Sequence, residues 1–251
     1  MSENTPILQT VDIHHAFGAV VAADNVNVTI ETGEMIGIVG ANGSGKTTFL
    51  NLITGYIKPN SGRILLMGKD TTGLPPRDVT KLGVARSFQI PQLYTNMTVL
   101  EGMLLSLAAA AGEASGFWRP ILRDSWKSEG LAILESFGLE AYADRNVGEL
   151  PEGSRKLLDI ALSFALKPKL LLMDEPTSGV SVEDKFEVMA TLVKVLQQSD
   201  TTAIFVEHDM EVIQRYSERV LVFGTGRVIA DGSPEQVLDD PEVKRTVLGQ
   251  V

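Results

Sequence analysis

The chain has 251 residues, 44% of them hydrophobic and 22% charged, which is the make-up of a globular protein rather than of a disordered or fibrous one. A net charge of −10 with no basic block excludes a surface that wraps nucleic acid. The absence of cysteine excludes disulfides, thiolate metal sites and cysteine nucleophiles, and it fits a reducing compartment.

The opening "MSENTPILQTVD" has neither the basic nor the apolar region of a signal peptide. Ile7 to Phe17 and Val26 to Ile30 alternate and are rich in β-branched residues, so both are predicted strands. Glu34 to Gly40 reads as a buried strand running into a glycine loop. Thr47 to Gly55 reads as a helix closed by its glycine. Arg63 to Met67 is a further strand, and Gln89 ends another, where a helical segment begins.

That segment covers roughly residues 90–167. Thr98 and Glu101 form a capping box ahead of an apolar run that Gly112 ends. The run "MLLSLAAAAG" falls far short of the roughly twenty residues a bilayer requires, so no membrane span is expected. A second helix is predicted from Ile121 to Phe137. A third follows "GELPEGS", with Leu157, Leu158, Ala161, Leu162, Phe164 and Ala165 at helical spacing and Pro168 as its stop. Ser154 or Gly153 is expected to cap it, with Glu152 on the positive end of its dipole. A helix opened in that way can also hold an anion.

The last third alternates: a strand at Lys169 to Asp174, a helix over about 182–198, a strand into Thr202 to Asp209, and a helix over about 210–217. A hairpin follows, turning at Gly224-Thr225-Gly226. Such alternation implies a mostly parallel sheet with helices on its faces. The expected fold is therefore an α/β core, residues 1–89 and 168–251, interrupted by a helical lobe at 90–167.

The sharpest chemical signal is "GANGSGKTT", Gly40 to Thr48, which matches G-x-x-x-x-G-K-[ST] between a strand and a helix. Gly40, Asn42, Gly43, Ser44 and Gly45 form the loop whose backbone N–H groups wrap phosphate oxygens. Lys46 reaches the β- and γ-phosphates. The hydroxyl of Thr47 ligates Mg²⁺, and Thr48 follows it on a helix whose dipole faces the charge. The second signal is "LLLMDEP", in which a buried strand ends in two acids. Asp174 is placed to hold Mg²⁺ and Glu175 to polarise water as a general base. Gln89 can reach metal and water, His208 can sense the γ-phosphate, and Phe17 can stack on adenine if an active site is nearby; taken singly, each residue is more often an ordinary polar, hydrogen-bonding or core one.

Together these residues resemble the nucleotide-binding subunit of ABC transporters, in order and over nearly the whole chain. The resemblance implies a P-loop NTPase core with a mostly parallel sheet, an N-terminal antiparallel β subdomain and an inserted helical subdomain. It makes Phe17 the adenine platform, Gln89 the Q-loop, Leu150 to Ser154 the signature and His208 the switch histidine. It also implies ATP as substrate with Mg²⁺, a dimer with an identical or different ATPase subunit, and permease subunits docked on the helical lobe. "GVARSFQ", "NMTVLEG", "VEHDMEVI" and "DPEVKRTVLG" look like importer ATPases for branched-chain amino acids and amides. That likeness implies a periplasmic solute-binding protein and a place on the cytoplasmic face of a bacterial inner membrane. It does not name the solute.

Two slots depart from the family. Its signature Leu-Ser-Gly-Gly-Gln reads Leu150-Pro151-Glu152-Gly153-Ser154 here, so the hydroxyl expected at the partner's γ-phosphate is missing. Gly153 survives, and Ser154 offers a substitute hydroxyl. Ser181 stands where an Asp is usual. These departures keep open a nucleotide-gated subunit with one impaired composite site. A soluble ABC ATPase outside transport is the other alternative; it usually carries a coiled-coil insertion or a second cassette, which this chain lacks.

Overall fold

The computed structural model describes residues 5–87, 93–113 and 123–247. The elements run β1 (Leu8–Phe17), β2 (Val20–Ile30), β3 (Met35–Gly40), α1 (Lys46–Ile53), β4 (Ser61–Leu66), β5 (Lys69–Asp70), α2 (Pro76–Lys81) and β6 (Val84–Ser87). Then come α3 (Val99–Ala110), α4 (Asp124–Ser136) and α5 (Glu152–Phe164), with 3₁₀ turns at Glu140–Tyr142 and Val147–Glu149. The chain closes with β7 (Leu170–Asp174), α6 (Val182–Gln197), β8 (Thr202–Val206), α7 (Met210–Tyr216), β9 (Arg219–Gly224), β10 (Arg227–Gly232), α8 (Pro234–Asp239) and α9 (Pro241–Val247).

Two sheets result. β2-β1-β4-β5 is antiparallel, and β10-β9-β3-β8-β7-β6 is parallel except for its β9–β10 hairpin. The hairpin turns through Thr225 and Gly226, both at positive φ, as a two-residue turn matched to strand twist requires.

Strand alternation divides the core. Leu170 and Leu172 of β7, Ile204 and Val206 of β8, and Ile36 and Ile38 of β3 face a cluster shared with α1 and the small sheet. Leu171 and Met173, Ala203 and Phe205, and Val39 face a second cluster built with α3, α5, α6 and α7. A sheet covered on both faces reads as continuous apolar runs, and that is why "LLLM" and "AIFV" carry no alternation. Each such buried aliphatic side chain contributes about 1.5–3 kcal/mol. The parallel strands β3, β6, β7 and β8 all end on one edge, which is where an α/β sheet places its ligands.

The predicted capping box is present, with Thr98 Oγ1 accepting from Glu101 N–H and Glu101 Oε2 from Thr98 N–H. The helix after "GELPEGS" starts earlier than its sequence suggests. Pro151, not Gly153 or Ser154, is its N-cap, and Glu152 is its first residue. Pro151 is extended (φ −56°, ψ 155°) and its carbonyl accepts the first helical bond from Arg155 N–H. An N-cap position tolerates proline because the N–H it lacks has no helical partner there. No side chain caps this helix.

Candidate nucleotide site

The phosphate loop is built by close backbone approach. A side chain at Gly40 would meet the Phe223 carbonyl at 2.3 Å, and one at Gly45 would meet the Ala22 carbonyl at 2.4 Å. Only glycine lets β9 and β2 brace the loop this closely. Gly226 N–H donates to Ser44 O at 2.9 Å, and Asp24 N–H to Gly226 O at 2.8 Å, so the hairpin turn and β2 hold the loop between them. A side chain at Gly43 would meet nothing within 4 Å, so that side of the loop is open. Ser44 Oγ is buried with no hydrogen-bond partner in this structure.

Lys46 is buried and folds back on its own loop, donating to Gly40 O at 2.7 Å and Ala41 O at 3.0 Å. Burial pulls its pKa below the usual lysine value, while the nearby Glu175 and Asp174 carboxylates work the other way. Thr47 is exposed and Thr48 half-buried on the first turn of α1, and Asn42 is exposed in the loop. Gly45 is the helix N-cap and offers no side-chain bond, so the first N–H groups of α1 face the loop. Phe17 ends β1 with 53% of its surface exposed and meets His15 edge-on at 4.6 Å. It pairs with Val20, two residues before the Ala22 carbonyl that touches the loop.

Asp174 and Glu175 stand at the end of β7. Glu175 has a left-handed backbone (φ 52°) held by its N–H donating to Val206 O at 2.9 Å. Its Oε1 lies 3.0 Å from His208 Nε2, so the structure brings the predicted base and switch histidine together. Gln89 lies outside the described residues. Among the described residues no cluster of three or more His, Asp or Glu could hold a metal alone. One strand-end carboxylate and a hydroxyl fit Mg²⁺, which takes its other ligands from water and nucleotide phosphates.

The segment read as the signature lies at the start of α5, against the turn before α6. Leu150 is buried, Pro151 and Glu152 are exposed, and Gly153 and Ser154 are half-buried. Arg155 braces the segment, donating to Leu150 O at 3.0 Å and Gly148 O at 3.1 Å, and it lies 3.6 Å from Glu152. Gly153 faces Val180 and Val188, and Glu152 approaches Gly179. Ser181 Oγ accepts from Asp184 N–H and caps α6.

A family model described as ABC transporter matches residues 23–178. The high-affinity branched-chain amino acid transport ATP-binding protein LivG of Escherichia coli K12 is 34% identical over 98% of each chain. The chain belongs to the ABC transporter family. The ABC fold is equally plain in solved structures. An ATP-binding cassette of an ABC transporter, MJ1267 in its ADP conformation, superposes with a TM-score of 0.87 at 31% identity, over 98% of this chain and 99% of that one. A dimeric post-hydrolysis state of the cassette MJ0796, bound to ADP and Pi, gives a TM-score of 0.76 at 25% identity, over 90% of this chain and 98% of that one. As an ABC ATPase the chain binds and hydrolyses ATP. No helix among the described residues is long and apolar enough to cross a membrane.

Three side chains at this ABC site escape the motif reading. Arg86 on β6 donates to Asp174 Oδ2 at 2.7 Å and to Asn51 Oδ1 at 2.6 Å. Glu207, buried beneath His208, accepts from Thr177 N–H at 2.9 Å and Thr177 Oγ1–H at 2.7 Å, and from His208 N–H at 3.3 Å. It ties the turn after Glu175 to the backbone of His208. Burial pushes its carboxyl above the usual glutamate range, against the pull of those donors. Lys156 is buried behind Glu175, and burial lowers its pKa. The sequence signal for all three is a charged residue inside or at the end of an apolar run.

Proposed function

We propose that the chain is the energy-coupling subunit of an importer for branched-chain amino acids or related amides, working on the cytoplasmic face of a bacterial inner membrane. One observation carries this reading: the ends of β3, β7 and β8 bring the Lys46 loop, Asp174–Glu175 and His208 to a single edge. The likeness to LivG supplies the solute class.

In this reading the N–H groups of Gly43 to Thr47 receive the phosphates, and Lys46 exchanges its loop carbonyls for the β- and γ-phosphate oxygens. Phe17 stacks on adenine through its exposed face. Thr47, Asp174 and, from the sequence, Gln89 would hold Mg²⁺; the ion would supply charge neutralisation at the phosphates. Glu175 accepts a proton from the attacking water as its oxygen bonds to the γ-phosphorus and the bond to the β-phosphate oxygen breaks. His208, 3.0 Å from Glu175, orients that carboxylate and meets the γ-phosphate. Leu150, Gly153 and Ser154 complete the site of a second ATPase subunit, identical or different. The helical segment carries the nucleotide switch to permease subunits served by a periplasmic solute-binding protein.

The test is reconstitution. The chain should co-purify with its membrane subunits, and Glu175→Gln should abolish solute-stimulated ATPase while ATP binding persists. Full turnover in that variant, or no association with membrane subunits, overturns the reading.

A further inference from the structure

Asp174 and Arg86 form a buried ion pair, with side chains 7% and 6% exposed. Arg86 sits on β6, where Val84, Ala85 and Ser87 are all buried, so its guanidinium reaches along the sheet to the neighbouring strand. It is gripped at both ends, by Asp174 Oδ2 and by Asn51 on α1, the helix into which the phosphate loop runs. The Arg86 carbonyl also accepts from Ser163 Oγ–H of α5 at 3.3 Å. One residue thus joins the acid, the phosphate-loop helix and the helix behind the signature.

A buried carboxylate needs a compensating cation. We propose that Arg86 is a positioning residue that stands in for the divalent cation: its guanidinium holds and neutralises Asp174 in the nucleotide-free protein and competes with Mg²⁺ for that carboxylate. The inference rests on the reading of Asp174 as the magnesium acid. The guanidinium places a positive charge on one of the two oxygens, so an arriving cation meets a ligand already half satisfied. The cost is repaid only when nucleotide phosphates supply the rest of the coordination, so divalent cation alone is refused and cation with nucleotide is accepted. Asn51 anchors the guanidinium in its place against Asp174, and so ties this refusal to the phosphate-loop helix.

The experiment measures the Mg²⁺ concentration that half-saturates binding of a fluorescent ATP analogue, and the shift in melting temperature caused by Mg²⁺ alone, in the full chain. In Arg86→Met the half-saturating concentration should fall about tenfold, the scale of an outer-shell partner's effect on a metal site. The variant should melt lower than the parent without cation and be raised by Mg²⁺ alone, whereas the parent is not. Asn51→Ala, which leaves the ion pair in place, should shift half-saturation in the same direction by less and serves if Arg86→Met does not fold. An unchanged or higher half-saturating concentration in the folded variants overturns the inference. Asp174→Asn separates the two levels: if Mg²⁺ dependence survives that change, the reading of Asp174 itself fails; if it is lost while the Arg86 and Asn51 variants behave as the parent, only the role of Arg86 fails.

Discussion

The edge that carries Lys46, Glu175 and His208 and the segment Leu150 to Ser154, the two halves of the proposed composite site, are built differently. At the first, the backbone fixes the positions: Gly40 and Gly45, where any side chain would collide with a neighbouring carbonyl, a left-handed Glu175 pinned by Val206 O, and a histidine 3.0 Å from the acid. At the second, the helix begins on a proline, no side chain caps it, and the nearest cation, Arg155, is turned onto the backbone of its own segment. The loop proposed to take phosphate within one chain is held by backbone packing that leaves little room for change. In the segment Leu150 to Ser154, Pro151 and Glu152, which depart from the family pattern, are the exposed residues, where substitution does not disturb the core.

The contrast can be broken from either side. The largest effect is expected at the first half: Glu175→Gln should lower ATPase turnover by about 100- to 10,000-fold, the range of a positioned general base, with ATP affinity retained in an equilibrium binding assay. A drop of only a few fold would mean that another group takes the proton.

A smaller effect is expected from Glu207, and it depends on pH. Because burial raises its carboxyl in the folded chain, the folded state holds that proton more tightly than the unfolded one. Stability from this group is therefore fully present below the ordinary glutamate range and declines as pH rises through it towards the folded value. Melting temperature against pH should fall less steeply over that window in Glu207→Gln than in the parent; parallel curves would refute the assignment.

The smallest effect is at Ser181, where a family Asp is replaced. Since its hydroxyl caps α6, Ser181→Ala should cost about 1 kcal/mol in urea unfolding. No loss would show that the cap is redundant.

Much of the fold is legible in the sequence, because glycine loops, capping boxes and strand–helix alternation are local signals. The P-loop, both acids and His208 stand out for the same reason: each ends an apolar run. Misses fall where partners are distant or patterns are short. Arg86 lies three residues before Gln89 in "ARSFQ", yet its partner is 88 residues away and only the parallel β6–β7 pairing joins them. Glu207 sits in "FVEHD" beside the residue that draws notice. α2 buries a single hydrophobic residue, Val79, and β5 has two residues, so neither offers a period to read. The start of α5 is misread from sequence because proline, usually a stop, is its cap.

The departure at Pro151 and Glu152 is expected to weaken the site this chain completes for its partner, while its own edge remains competent. The direct measurement is the ATPase rate of the assembled transporter with Pro151→Ser and Glu152→Gly combined. The rate should rise several-fold, with Glu175→Gln in the same background abolishing the gain. An unchanged rate in a folded, assembled complex would contradict the claim and leave Ser154 and the helix N-terminus sufficient as they stand.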